Sequence, residues 1–114
     1  MTKTLLWGAE DYSTEAHYTY PNTTLDLNDS LSDYDMICLV ISSENDIQSN
    51  IVCNIWYDVN VCLETNRQMV IWIYFQRFLR TLFTDTTFTI TDVGYSQESS
   101  GYMPRIYKIY GYKF

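Results

Sequence analysis

The stretch from Pro104 to Phe114, PRIYKIYGYKF, constrains the fold of this chain more than any other. Side chains alternate across an extended strand, so Ile106, Lys108 and Tyr110 are expected on one face and Tyr107, Ile109 and Gly111 on the other. A Tyr- and Ile-rich strand at the end of a chain frays unless it is paired, which places this one inside a sheet. The same reasoning extends upstream. Thr4–Trp7 reads as a first strand stopped by Gly8. Thr23–Leu27 alternates Leu25 and Leu27 with Thr24 and Asp26, and Thr86–Thr91 turns Phe88 and Ile90 inward and Thr87 and Thr89 outward. Met36–Ile41 is a continuous apolar run, the mark of a central strand covered on both faces. Ile51–Tyr57 and Met69–Phe75 are further strands, and Val59–Leu63 is expected to continue or return after the polar break at Asp58 and Asn60.

Two segments are less regular. In Gln76–Phe83, helical spacing fits Phe78, Leu79 and Leu82, while alternation fits Leu79, Thr81 and Phe83; strand is preferred because the neighbouring segments are strands. Asn28–Asp35 predicts a loop or single helical turn with Leu31 and Tyr34 pointing inward. Residues 9–22, Ser42–Asn50 and Asp92–Gly101 read as polar loops, with His17 in the first of them. The expectation is one domain over residues 1–114, all-β: an antiparallel β-sandwich, jelly-roll-like, of about seven to nine short strands.

Composition supports that reading. At 114 residues, 46% hydrophobic and 18% charged, the chain can bury a core and is no disordered acidic tail. Eleven Tyr and three Trp favour strands. With two Pro and four Gly, turns must come mostly from Asn, Asp and Ser. Cys38, Cys53 and Cys62 lie in apolar runs with no CxxC spacing. They are expected to be buried, reduced thiols in strands, in a reducing compartment, rather than disulfides or a zinc site. No secretory leader is apparent, and the run Met69–Phe75 is too short to span a bilayer. The sequons at Asn22 and Asn28 are therefore read as chance matches.

Charge is uneven. Residues 1–64 carry eleven acids and one Lys, a formal −10; residues 65–114 carry three acids and six bases, a formal +3, for a total of −7. Bulk electrostatics exclude direct binding to a nucleic-acid backbone. A solvated acidic edge is the plain reading, and docking of a basic partner the sharper one.

Catalytic motifs are missing. His17 is the only His, and no GxSxG elbow or phosphate-cradling glycine loop accompanies it. Asp26, Asp29, Asp33 and Asp35 could chelate calcium, but the EF-hand Gly and terminal Glu are lacking, and Asp as turn former explains them more simply. A spatial carboxylate pair for glycoside hydrolysis is the one enzymatic alternative. Neither a catalytic residue, a metal nor a cofactor is expected. The remaining signal is aromatic. Tyr12, Tyr18, Tyr20, Tyr57, Tyr95 and Tyr102 fall in or beside expected loops, where an apolar ring with a polar tip suits contact with protein or carbohydrate. With Asp29 and Asp33 they form the candidate binding set. Trp56, Trp72 and Phe78 exceed what one thin sandwich readily covers, which points to a homo-oligomer.

Three pieces in order carry a resemblance: LLWG (5–8), LDLNDSLSDYDMICLVI (25–41), and FTIT (88–91) followed by RIYKIYGYK (105–113). Together they resemble the C-terminal domains of tail-fibre and tail-associated, receptor-binding proteins of phages and prophages. The resemblance implies a non-enzymatic β domain, commonly trimeric, that recognises a host-surface glycan or protein, or another virion protein, through loops. It implies a virion protein made in the host cytoplasm, with no membrane partner. Fibres place this module after a long stalk, whereas here Met1 stands just before the first strand, so a stand-alone tail or head component is the expected form. The alternative is a small acidic phage-encoded inhibitor of a bacterial defence system, anti-CRISPR-like. There the acids Glu10, Asp11, Glu15, Asp26, Asp29, Asp33 and Asp35 would form one strip that mimics nucleic acid.

Overall fold

The computed structural model describes residues 1–8, 17–18, 22–42, 53–64, 69–73, 77–95 and 105–114. Among the described residues, nine strands run in chain order: β1 (Thr2–Gly8), β2 (His17–Tyr18), β3 (Thr23–Asp26), β4 (Met36–Ser42), β5 (Cys53–Asp58), β6 (Met69–Ile73), β7 (Arg77–Phe83), β8 (Thr87–Tyr95) and β9 (Arg105–Lys113). A 3-10 turn, Leu31–Asp33, precedes β4, and one helix, α1 (Val59–Glu64), follows β5. The strands form two antiparallel sheets. Sheet A has the order β1-β9-β4-β5, with β2 also on β9; sheet B has the order β3-β8-β7-β6. The fold is an all-β sandwich, as expected. Its jelly-roll-like part is the nested pairing of β1 with β9 and of β3 with β8. The hairpin β4–β5 and the meander β6–β7–β8 complete the sheets.

Burial follows the pleat. Ile37, Leu39 and Ile41 of β4 lie in the main core with Leu6, Leu79, Phe88, Ile90, Ile106 and Ile109, while Cys38 and Val40 form a second cluster with Tyr110 on the opposite face. β4 is thus the central strand, covered on both faces. Phe88 and Ile90 are buried as alternation requires, and Phe83 meets Phe88 with ring centroids 4.9 Å apart. Arg77–Phe83 is a strand, not a helix.

The structure corrects four expectations. Val59–Leu63 is not strand. The Asp58 side chain accepts the Asn60 N–H at 2.8 Å, capping the start of α1, and the residues that become buried, Val59 and Cys62, are spaced for a helix. Cys62 is therefore a buried thiol in a helix, whereas Cys38 is one in a strand, and both are free. β8 runs on through Asp92 to Tyr95, where a loop was expected, because Arg77–Arg80 supplies a partner for each of these four residues, past a bulge at Thr91. His17 lies in β2, opposite Ile106, instead of in a loop.

The fourth correction concerns β9. Ile106 does not share a face with Lys108 and Tyr110. The register on β4 jumps from Val40↔Lys108 to Ile41↔Ile106, leaving Tyr107 as a bulge. The extra residue changes the phase, so Ile106 and Ile109 both enter the main core and Tyr107 packs with the outer cluster.

The 27–35 segment is the clasp between the sheets. Leu27 N–H and Leu31 N–H donate to the carbonyls of Thr86 and Asp85 in the β7–β8 turn, while Asn28 N–H donates to Leu6 O in β1. Asp35 N–H then bonds Tyr112 O, its carbonyl accepts from Val59, and its carboxylate accepts the Phe114 N–H at 2.8 Å. Leu31 is fully buried and Tyr34 half-buried, as their inward assignment required. The Tyr34 ring lies on Gly111, where an added Cβ would come within 2.8 Å of ring carbons. Only glycine permits that approach.

Candidate binding surface

Residues opposite one another in a sheet share a face, so the registers define what sheet A presents outward. One row is Lys3, Tyr112, Met36 and Asp58; the next is Leu5, Tyr110, Cys38 and Trp56; the third runs through Lys108, Val40 and Asn54. The rings interlock along this face. Trp56 and Tyr112 have centroids 4.6 Å apart, and Tyr110 meets Tyr112 edge-on at 6.3 Å. The Lys3 ammonium sits 4.3 Å from the Tyr110 centroid, and the Lys108 ammonium 5.6 Å from it, both within cation–π range. Tyr110 and Lys108 are buried, but Trp56 keeps 47% of its surface exposed and Lys3 is exposed. The result is an aromatic surface fixed by strand backbone and edged by a cation in an otherwise acidic chain.

Burial pushes the Cys38 thiol up from its ordinary value, with the Lys3 charge opposing it. This thiol is a packing group, not a thiolate nucleophile. Burial, and then the Asp58 charge, push the Cys62 thiol up to about 12.

The sequence-derived set divides. Tyr57 faces inward against the main core, and burial raises its phenol above the ordinary value. Tyr18 is in β2 and Tyr95 ends β8. Tyr12, Tyr20 and Tyr102 lie outside the described residues, as do Glu10, Asp11 and Glu15. Asp29 is exposed but engaged. Its carboxylate accepts the Tyr34 hydroxyl at 2.7 Å and the Ser30 N–H at 2.9 Å, and these bonds hold it below the usual carboxylate range. A bond with the Thr4 hydroxyl draws the Tyr34 phenol down, but burial and Asp29 outweigh it and the phenol is raised. Asp85 works the same way from the β7–β8 turn. The Ser32 N–H donates to it at 2.8 Å, the Ser32 hydroxyl adds to this, and the carboxyl is lowered. Asp33 is exposed in the 3-10 turn. The clasp therefore gathers Asp29, Asp33, Asp35, Asp58 and Asp85, all exposed, at one end of the sandwich.

Among the described residues, no group of three or more His, Cys, Asp or Glu could hold a metal ion. An open pocket of about 430 Å³ lies beside α1, lined by Asn60, Leu63 and Glu64. Among the described residues, its lining offers one carboxylate, Glu64. No described helix is long and apolar enough to cross a membrane.

Sequence reasoning missed Lys3, Tyr110 and Tyr112 as members of this face and treated Trp56 only as an oligomer patch. The period-2 spacing of Tyr110 and Tyr112 was visible. Their meeting with Trp56 and Lys3 depends on strand order, which no local pattern encodes. No protein-family model matches the chain, and no curated protein matches it either.

Proposed function

We propose that this chain is a non-enzymatic binding module of a phage particle, a tail-fibre-tip-like or decoration component that contacts a host-surface glycan or protein, or another virion protein. The observation that carries the reading is the outer face of sheet A, where a half-exposed Trp56 leans on Tyr112 beside Lys3. Aromatic rings held by strands lose little entropy on contact and offer a flat apolar surface to a sugar ring or peptide. The phage assignment rests on the resemblance of LLWG, LDLNDSLSDYD and KIYG. In the fold, Gly8 closes β1, the second piece is the clasp, and Gly111 receives Tyr34. Mass spectrometry of purified particles tests the assignment: the protein is expected in them, and its clear absence removes the reading. Adsorption of the purified protein to host cells tests the surface, with Trp56→Ala expected to abolish it.

The gathered carboxylates favour a second reading, the acidic inhibitor that occupies a nucleic-acid channel. Under that reading a pull-down from host lysate captures a nucleic-acid-binding protein, the complex weakens steeply with salt, and Trp56→Ala leaves it intact.

A further inference from the structure

The two sides of the sandwich treat their sheet edges differently. On one side, β1 carries Lys3 and a bulge between Leu5 and Trp7, and β3 is only four residues long and ends in Asp26. A lysine, a bulge, a short strand and a charge are the devices that keep sheet edges from pairing with other chains. On the other side, among the described residues, β5 (CNIWYD) bounds sheet A and β6 (MVIWI) bounds sheet B. Neither contains Lys, Arg or Pro, and their one charge is Asp58, already engaged as the α1 cap. Exposed apolar residues gather on this same side. Among the described residues, five large hydrophobics are exposed. Met1 and Phe114 are chain ends, and the other three are Trp56 at 47%, Val61 at 50% and Val70 at 46%, on β5, α1 and β6 in turn.

We propose that this side is where two copies of the chain join, β5 against β5 and β6 against β6 about a two-fold axis, so that both sheets run from one copy into the next. The chemistry selects the occupant. A strand edge is satisfied by another extended strand, and an antiparallel edge is complementary to itself about a two-fold. Charge selects further. A chain of net charge −7 repels its own copy wherever its carboxylates face one another, and the strands β5 and β6 carry one between them, Asp58. Joining there brings the two outer aromatic faces into one continuous surface. The inference is independent of the phage assignment.

The test is light scattering on the full chain eluting from a sizing column, over a dilution series. Wild type is expected at twice the chain mass when concentrated. Val70→Lys and Trp56→Lys, both at exposed positions, are expected to elute as folded monomers, whereas Thr24→Lys on β3 is expected to leave the dimer unchanged. Should a lysine variant fail to fold, hydrogen exchange on wild type decides: amides of β5 and β6, and not those of β3, should lose protection on dilution. A monomer at every concentration, a trimer, a dimer indifferent to both β5 and β6 substitutions, or exchange in β5 and β6 that ignores dilution overturns the proposal.

Discussion

The two faces of sheet A are built by the same strands and do opposite things. The inner face is aliphatic and closed at its centre, where Ile37, Leu39, Ile41, Ile106 and Ile109 are at most 1% exposed, with Tyr57 at its margin. The outer face carries Lys3, Tyr110, Tyr112 and Trp56, and grades from buried Tyr110 to half-exposed Trp56. Alternation along the strands separates them, and one bulged residue, Tyr107, decides the face of Ile106. Without it, Ile106 would fall on the tyrosine face and leave the core. The comparison teaches that the inner face decides whether this chain folds, while the outer face is buried at its centre and open to contact at its margins, at Lys3 and Trp56.

The largest expected effect is on the inner side. Phe88→Ala removes a fully buried ring that packs on Phe83, and should cost about 3–5 kcal/mol in denaturant unfolding. Next comes the backbone that lets β1 lie against β9. Gly8 has φ +97, and an added Cβ would stand 2.3 Å from the Tyr107 carbonyl oxygen. Gly8→Ala should therefore cost roughly 1–3 kcal/mol and weaken the β1 edge, read as faster hydrogen exchange in β1. An equal stability for this variant would mean that the bulged region is not built as described.

Acid should act through the clasp. Asp29 and Asp85 have carboxyls lowered by hydrogen bonds, so the folded state holds fewer protons than the unfolded chain over that range. Their stabilisation is present above about pH 4 and is lost as pH falls through the folded values. Asp85→Asn should flatten the acid limb of a stability–pH curve while leaving its neutral plateau similar in shape. The alkaline limb has the opposite origin. The Cys62 thiol is raised to about 12. Its contribution is whole below about pH 8.5, the ordinary thiol value, and is lost as pH climbs towards the folded one. Cys62→Ala should shrink that limb, leaving the part due to Cys38, Tyr34 and Tyr57, whose groups are raised as well.

The smallest effect is expected on outward-facing groups. Arg80 and Asp92 pair at 3.4 Å with about half of each side chain in solvent. Pairs of this kind contribute about 0–1 kcal/mol, so Asp92→Asn should barely move the melting temperature.

The strands were legible because their alternation is local. TTFTIT and KIYGYK each declare a period of two within six residues, and MICLVI is a continuous apolar run of strand length. α1 was not, because Val59, Val61 and Leu63 also alternate, and the deciding sign was the cap at Asp58. The bulge at Tyr107 was hidden as well, since it is a property of how β9 meets β4 and not of β9 alone. The acids show the same limit. Asp29 and Asp85 lie far apart in the chain yet serve one clasp, a role the turn-forming chemistry of Asp foretold for Asp29 only. The aromatic surface was the least legible feature, because Lys3, Trp56 and Tyr112 come from three strands brought together by topology.

The most direct test of the division between faces is adsorption of purified wild-type, Trp56→Ala and Tyr112→Ala proteins to host cells, with melting temperature measured on the same samples. Loss of adsorption by both variants, each still unfolding cooperatively and at a cost well below that of Phe88→Ala, is the predicted result. Full adsorption by both, at unchanged stability, would contradict the assignment of contact to the outer face of sheet A.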